Sequence, residues 1–254
     1  MRSDSEIVLD RSAVGSFNEE PYKQDTSAMQ PDSAILSPWV QSFAKRLFDI
    51  ALVLAGLPIW LPLLLTVAIL IRATSAGPIL FLQERVGQCG VPFMIFKFRT
   101  MVASGRERGT ITTEDDPAIT AVGRFLRRWK LDEVPQFVNV LRGDMSLVGP
   151  RPKVPQQKAG APRCRPGITG AATLAFADEE GLLVGIPKEE LEIFFRDVLL
   201  PWKQYLDSRY LVQATFVSDL HLILCTVFRR WEPSEIPRPQ FQLEAEPDEA
   251  VGRR

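Results

Sequence analysis

A chain of 254 residues, 46% hydrophobic and 24% charged, suits one sizeable domain with appendages and excludes a wholly disordered protein. Its net charge of −1 hides a division: residues 1–44 carry 3 basic and 7 acidic groups, residues 232–254 carry 3 and 6, and the stretch between is basic by about six charges. That pattern points to an anionic partner for the middle, lipid headgroups or nucleotide phosphates or both, and nucleic acid is not expected. Cys89, Cys164 and Cys225 are odd in number and far apart, which excludes a disulfide framework and a zinc spacing and fits a reducing, cytoplasmic setting.

In chain order, residues 1–36 are polar, acidic and without a sustained period, as in a mobile extension, and no signal peptide precedes the first apolar run near Leu47. From Ile50 to Ile71 run 22 residues without a charge, enough for a helix to cover a bilayer core of about 30 Å. Gly56, Pro58 and Pro62 interrupt that run, and each proline removes an i→i−4 hydrogen bond. The flanks are basic on both sides, Lys45-Arg46 and then Arg72 and Arg85, so charge gives no preference for opposite faces. Residues 37–76 therefore predict a re-entrant helix–break–helix, with a kinked single span as the alternative.

Residues 79–86 and 92–99 predict a hairpin around Gly87-Gln88-Cys89-Gly90, with Phe96 and Phe98 on one face and Lys97 and Arg99 on the other. Residues 104–118 read as a loop and 123–131 as a short basic helix. Val134, Phe137, Val138 and Leu141 share one helical face, ended by Gly143, and GDMSLVGPRP reads as irregular chain. Residues 152–170 are rich in Pro and Gly, 188–200 and 202–230 read as helices, and 232–254 is an acidic, Pro-rich tail. The fold class is α+β, mainly helical: a re-entrant membrane element, 37–76, and a cytoplasmic catalytic domain, 77–231, with a small β-hairpin.

The chemistry concentrates at Asp132-Glu133, an acidic pair between Arg127-Arg128-Trp129-Lys130 and Arg142 and Arg151. Cations on both sides predict that both carboxylates stay ionised and that the site attracts phosphate. Such a carboxylate can act as nucleophile, base or metal ligand. Asp132 also precedes a helix with Pro135 in its first turn, the position of a cap; capping and chemistry are compatible, since a helix N-terminus suits phosphate. Arg151, fixed between Pro150 and Pro152, suits bidentate phosphate binding or is an exposed Arg in a rigid turn. Lys97 and Arg99 fit the solvent face of a hairpin, and Arg165 fits an ordinary loop while standing as a further substrate-binding candidate. A single histidine, His221, in an apolar helix excludes His-centred triads, and no Walker A or G-x-G-x-x-G motif supports a classical nucleotide fold.

KRLFDIALVLAGLPIWLPLLL, ILFLQERVG, FKFRTM, VGRFLRRWKLDEVPQFVNVLRGDMSLVGPRP, RPGITG and DSRYLVQATFVSDL span residues 45–220. Together they resemble the bacterial sugar transferase family, the monotopic polyprenyl-phosphate phosphoglycosyl transferases. The resemblance implies an enzyme of the bacterial inner membrane whose active site faces the cytoplasm. It implies transfer of a phosphosugar from a UDP-sugar to undecaprenyl phosphate, with release of UMP, at the start of polysaccharide or glycoconjugate assembly. By the same resemblance Asp132 is the nucleophile that forms a covalent phosphosugar intermediate, and Mg²⁺ is required, held by Glu133 with Asp132. Lys97, Arg127, Arg151 and Asp207 match positions that bind phosphates or shape the pocket, and Pro62, with Pro58 beside it, matches the helix break. Inner-membrane lipid and glycosyltransferases are implied partners. Leu61 stands where the family has Ser, and Ala171-Ala172-Thr173-Leu174 where it has Trp-Ala-Gln-Val; the region 171–200 also diverges. These departures motivate one alternative, a non-catalytic membrane scaffold that retains the fold. A membrane-anchored phosphohydrolase is a second.

Overall fold

The computed structural model describes residues 35–102, 116–155, 163–177 and 194–228. Both tails, most of the loop 104–118, the stretch 178–193 and the end of the last helix at Arg229-Arg230-Trp231 lie outside the described residues. Among the described residues there are eight α-helices and two two-stranded sheets, the mainly helical α+β arrangement expected.

After a single turn, α1 (Pro38–Gln41), the apolar segment forms α2 (Phe43–Ala55) and α3 (Leu57–Thr74). Ser42 starts α2 by accepting a hydrogen bond from Lys45 N at 3.0 Å. The discontinuity falls at Gly56, earlier than either proline. Pro58 lies in the first turn of α3, where a missing N–H costs nothing, and Pro62 lies inside α3, which continues through it. The Trp60 indole reaches back from α3 to donate to Val53 O at 2.8 Å, satisfying a carbonyl that the break leaves exposed.

The two helices face opposite needs. In α2 the buried stripe is Lys45, Asp49 and Val53, while Phe43 and Leu47 are 79% and 56% exposed. The charges point inward because each has a partner there. Lys45 pairs with Asp219, which is fully buried and also accepts from Trp39 Nε1 at 2.9 Å and Tyr210 OH at 2.7 Å. Asp49 accepts from Ser146 Oγ at 2.7 Å and Leu147 N at 3.3 Å. Removing one partner from such a buried pair costs about 3–5 kcal/mol. In α3 only Trp60, Val67 and Ile71 are buried, and Ile59, Leu65 and Ile69 are exposed. Among the described residues α3 is the one helix long and apolar enough to cross a membrane.

The hairpin is as expected: β1 (Leu80–Val86) pairs antiparallel with β2 (Pro92–Phe98), in the register Phe81↔Lys97 and Arg85↔Phe93. Arg99, just beyond β2, is not a solvent-facing residue; it is buried and donates to Ala76 O at 2.7 Å and Ser75 O at 3.0 Å, clamping the end of α3 to the hairpin. Thr120 caps α4 (Ala121–Arg128), and Gly123 is needed because a Cβ there would stand 2.0 Å from Thr100 O.

The residues after α4 form a 3₁₀ helix, Leu131–Gln136, and then α5 (Phe137–Arg142), ended by Gly143 at φ 93°. Of the four apolar positions expected on one face here, Val138 is exposed, whereas Asn139 and Val140 are fully buried. GDMSLVGPRP is not wholly irregular: β3 (Ser146–Val148) pairs in parallel with β4 (Gly167–Thr169). RPGITG serves this approach, since a Cβ on Gly167 would lie 2.1 Å from Gly149 N. A three-residue strand whose partner lies so far along the chain leaves no periodic signal. Helices α6 (Ala171–Ala175), α7 (Leu200–Gln213) and α8 (Phe216–Phe228) complete the described fold, with a π turn at Phe195–Leu199. The main core gathers Val53 and Trp60 with Val140, Met145, Val148, Tyr210 and Leu222.

Candidate active site

The acidic pair sits on the 3₁₀ helix between α4 and α5. The chain enters through Lys130, a non-glycine residue in the left-handed region at φ 55°. The tight turn starts at Leu131, so Asp132 lies inside its first turn instead of before a helix, and neither the 3₁₀ helix nor α5 has a side-chain cap. The cap expected of Asp132 is therefore absent. Asn139 docks this segment on the hairpin. Its fully buried side chain donates to Met94 O at 2.7 Å and accepts from Phe96 N at 3.1 Å, imitating a neighbouring strand.

That docking brings Lys97 of β2 to the acids. Lys97 Nζ lies 2.9 Å from Glu133 Oε1, and Arg151 Nη2 lies 2.7 Å from the same oxygen. Burial alone would raise the Glu133 carboxyl, but Arg151 and then Lys97 hold it well below the usual carboxylate range. Asp132 behaves differently. Burial and then the Glu133 charge push it up to about 6, against the pull of Lys97, Lys130 and Arg127. The cations hold Glu133 firmly ionised, whereas Asp132 is mostly ionised at neutral pH but keeps a raised proton affinity. The two direct partners of Glu133 spend their charge on it, and desolvation dominates at Asp132.

Arg127 is among the cations near Asp132, its Nε donating to Thr100 Oγ1 at 3.0 Å. Asp207 of α7 lies on the other flank, near Arg151, Lys153 and Lys203, and accepts a hydrogen bond from the Ala172 backbone at the start of α6; burial pushes its carboxyl up to about 7. Arg165 is not brought to the pair. It donates to Gly143 O at 2.9 Å, beside Arg46, which donates to Val140 O and Leu141 O. Two guanidinium groups thus satisfy the orphan carbonyls at the far end of α5, which is why Arg165 faces there.

Two residues of the site are absent from the sequence-based candidates. Arg85 and Gln136 line one cavity with Lys97, Glu133, Arg151 and Ile168. Burial, and next the Arg151 charge, push the Arg85 guanidinium down to about 10. The hairpin held the signal for Arg85: β-alternation from Phe81, opposite Lys97, places Gln83 and Arg85 on the Lys97 face. Gln136 had no local signal beyond its place in LDEVPQ.

The Asp132 carboxyl gives a pH prediction. Its folded value of about 6 exceeds the ordinary 3.8, so between those values the folded protein holds a proton that the unfolded chain lacks. The stability from that proton is complete below 3.8 and lost as pH rises through about 6. Asp132→Asn, a neutral isostere, is expected to raise the melting temperature of the detergent-solubilised protein at neutral pH, by a margin that shrinks to nothing on acidification. Equal melting temperatures at neutral pH would contradict this environment for Asp132.

The site can be compared with known proteins. The model of the bacterial sugar transferase family matches residues 40–232. An undecaprenyl-phosphate glucose phosphotransferase of Komagataeibacter xylinus is 42% identical over 209 residues, covering 76% of this chain and 37% of that protein. A UDP-glucose:undecaprenyl-phosphate glucose-1-phosphate transferase of Caulobacter vibrioides is 43% identical over 197 residues, 72% of this chain and 68% of its own. A UDP-N-acetylgalactosamine-undecaprenyl-phosphate N-acetylgalactosaminephosphotransferase of Aeromonas hydrophila is 44% identical over 125 residues, covering 49% of this chain. The match spans 29% of the Aeromonas protein and 37% of the Komagataeibacter protein, well under two thirds of either. The aligned region holds every described element from α2 to α8, the clamped acidic pair included, and the chain belongs to the bacterial sugar transferase family.

Proposed function

We propose that this protein transfers a phosphosugar from a UDP-sugar to undecaprenyl phosphate through a covalent intermediate on Asp132, releasing UMP, at the cytoplasmic surface of the bacterial inner membrane. The relatives' names supply the substrate class. The observation that carries the mechanism is the division of labour in the acidic pair: Glu133 Oε1 is held by Lys97 and Arg151, whereas Asp132 keeps a raised proton affinity and, among the described residues, makes no ion pair. A carboxylate of that kind is more nucleophilic than a surface one and still mostly ionised at neutral pH.

Asp132 attacks the phosphorus that carries the sugar. A carboxylate–phosphorus bond forms, the phosphorus–oxygen bond to the nucleotide breaks, and its electron pair leaves on UMP. The acceptor's phosphate oxygen then attacks the same phosphorus and returns Asp132 as a free carboxylate. Lys97, Arg127 and Arg151 offset the repulsion among these anions, which is the main service an enzyme performs in phosphoryl transfer. Asp132 and Glu133 also fit Mg²⁺, which takes one or two carboxylates and fills its shell with water and substrate phosphates. Among the described residues there is no cluster of three metal-binding side chains, so the substrate would supply the remaining ligands. When bound, the ion neutralises charge on the diphosphate.

Membrane placement rests on how the anchor is tied. Lys45, near the start of α2, and Ser75, at the end of α3, are held respectively by Asp219 and Arg99 of the same folded unit. Both ends of the apolar segment returning to one body supports the re-entrant reading over a kinked span. The outward apolar faces of α2 and α3 would lie in lipid, putting the site at headgroup level, where the acceptor's phosphate is.

The purified full chain is expected to release UMP from at least one member of a UDP-sugar panel, with sustained turnover only when polyprenyl phosphate is added. Turnover without acceptor would favour a phosphohydrolase, and no turnover with any UDP-sugar would favour the scaffold reading. In a background with Cys89 and Cys225 changed to Ser, Gln41→Cys and Ala76→Cys are expected to react with an impermeant thiol reagent from the same side of the membrane. Reaction from opposite sides would establish a span instead.

A further inference from the structure

Two buried donors in the site have no partner: Gln136 Nε2 and Arg85 Nε. Gln136 is 2% exposed, and both residues line the cavity beside Glu133 and Arg151. An unmatched buried donor costs about 1–3 kcal/mol, so two at one place call for an acceptor that the protein itself does not supply. The neighbourhood states the sign of that acceptor. Arg85 sits within the fields of Arg151 and Glu133, and Glu133 is already engaged by Lys97 and Arg151, so the local surplus is positive. Two guanidinium groups beside one cavity, Arg85 with its Nε buried and Arg151 half exposed at the edge, suit an anionic oxygen ligand that enters from solvent.

The 3₁₀ helix fixes which side of the site this is. At three residues per turn, positions i and i+3 eclipse, so Gln136 lies above Glu133 on one stripe while Asp132 shares the neighbouring stripe with Pro135. The cavity of the orphan donors is lined by Glu133 and Lys97 but not by Asp132, so it lies on the Glu133 side of the pair, with Lys97 close to both acids. An in-line displacement at phosphorus sends the leaving oxygen away from the attacking one.

We infer that Arg85 and Gln136 form the leaving-group site, donating hydrogen bonds to the phosphate of the departing nucleoside monophosphate. The assignment rests on the proposed function. As the Asp132–phosphorus bond forms and the bridging phosphorus–oxygen bond breaks, the electron pair moves to that bridging oxygen, now on the nucleoside monophosphate. No proton is needed, because the two donors meet the new charge with hydrogen bonds. They bind the donor substrate and the released product, not the lipid acceptor.

The test uses the full chain in detergent, with Gln136→Leu and Arg85→Gln. UMP is the probe, uridine controls for the nucleoside alone, and the apparent KM for polyprenyl phosphate controls for the other phosphate source. Each variant is expected to weaken UMP binding by about ten- to a hundredfold, the range for a hydrogen bond to a charged group. Uridine binding and the KM for polyprenyl phosphate should hold. The ligand-free melting temperature of Gln136→Leu should hold or rise, because the substitution removes an orphan donor; a residue needed only for packing or folding would show a marked fall, and that fall would overturn the assignment. Unchanged UMP binding by both variants of an active enzyme, or a rise confined to the acceptor's KM, would also overturn it and leave the proposed function intact. A wild-type chain that releases no UMP from any UDP-sugar would remove both.

Discussion

One carboxylate oxygen organises the site. Glu133 Oε1 takes Lys97 from the hairpin and Arg151 from the turn after β3, joining three segments that are distant in sequence. Each segment arrives by a separate device. Asn139 zips the acidic segment to β2, Arg99 ties the hairpin to the end of α3, and the close approach of Gly149 and Gly167 aims the Pro-Arg-Pro turn. Glu133 can bear two cations because burial removes the competition from water, and the cations in turn keep it ionised. At Asp132, one residue away, burial and a negative neighbour outweigh the pull of Lys97, Lys130 and Arg127. The pair is thus chemically split by its surroundings, with no difference in residue type needed to do it.

Much of this was legible in the sequence because it rests on local pattern. The hairpin followed from alternation, the end of α5 from Gly143, and the importance of Asp132-Glu133 from charge clustering and the resemblance of the flanking motifs. What escaped depends on long-range partners. Arg165 looks like a site cation in RPGITG, yet it serves the carbonyls at the far end of α5, because β4 lies beside β3 and delivers it there. Lys45 read as a charge bordering a membrane segment; with Asp49 it forms the inward stripe of α2, matched by Asp219 of α8 and by Ser146 of β3. No local window shows that Asp219 will be waiting. The break in the apolar run was expected at the prolines and falls at Gly56, since proline is tolerated in the first turn of a helix and glycine is the weaker link before it.

The arrangement carries costs that a stable scaffold would avoid. Asp132 is buried beside like charge, Arg85 beside Arg151, and Gln136 keeps an unmatched donor. Sites built to receive charged ligands commonly hold such groups at the expense of stability, offset elsewhere. The buried Lys45–Asp219 pair and the hydrogen bonds around Asp49 fix α2 against the body of the protein. These contacts set the position of the acidic pair relative to the outward apolar faces of α2 and α3.

The central claim is that this split makes Asp132 the atom-bearing group in transfer. The most direct measurement is incubation of the detergent-solubilised chain with a UDP-sugar labelled in the sugar-linked phosphate, without polyprenyl phosphate, followed by denaturation and localisation of the label. The account predicts label on the peptide containing Asp132 and its loss in Asp132→Asn. Label retained at the normal level by Asp132→Asn would contradict it.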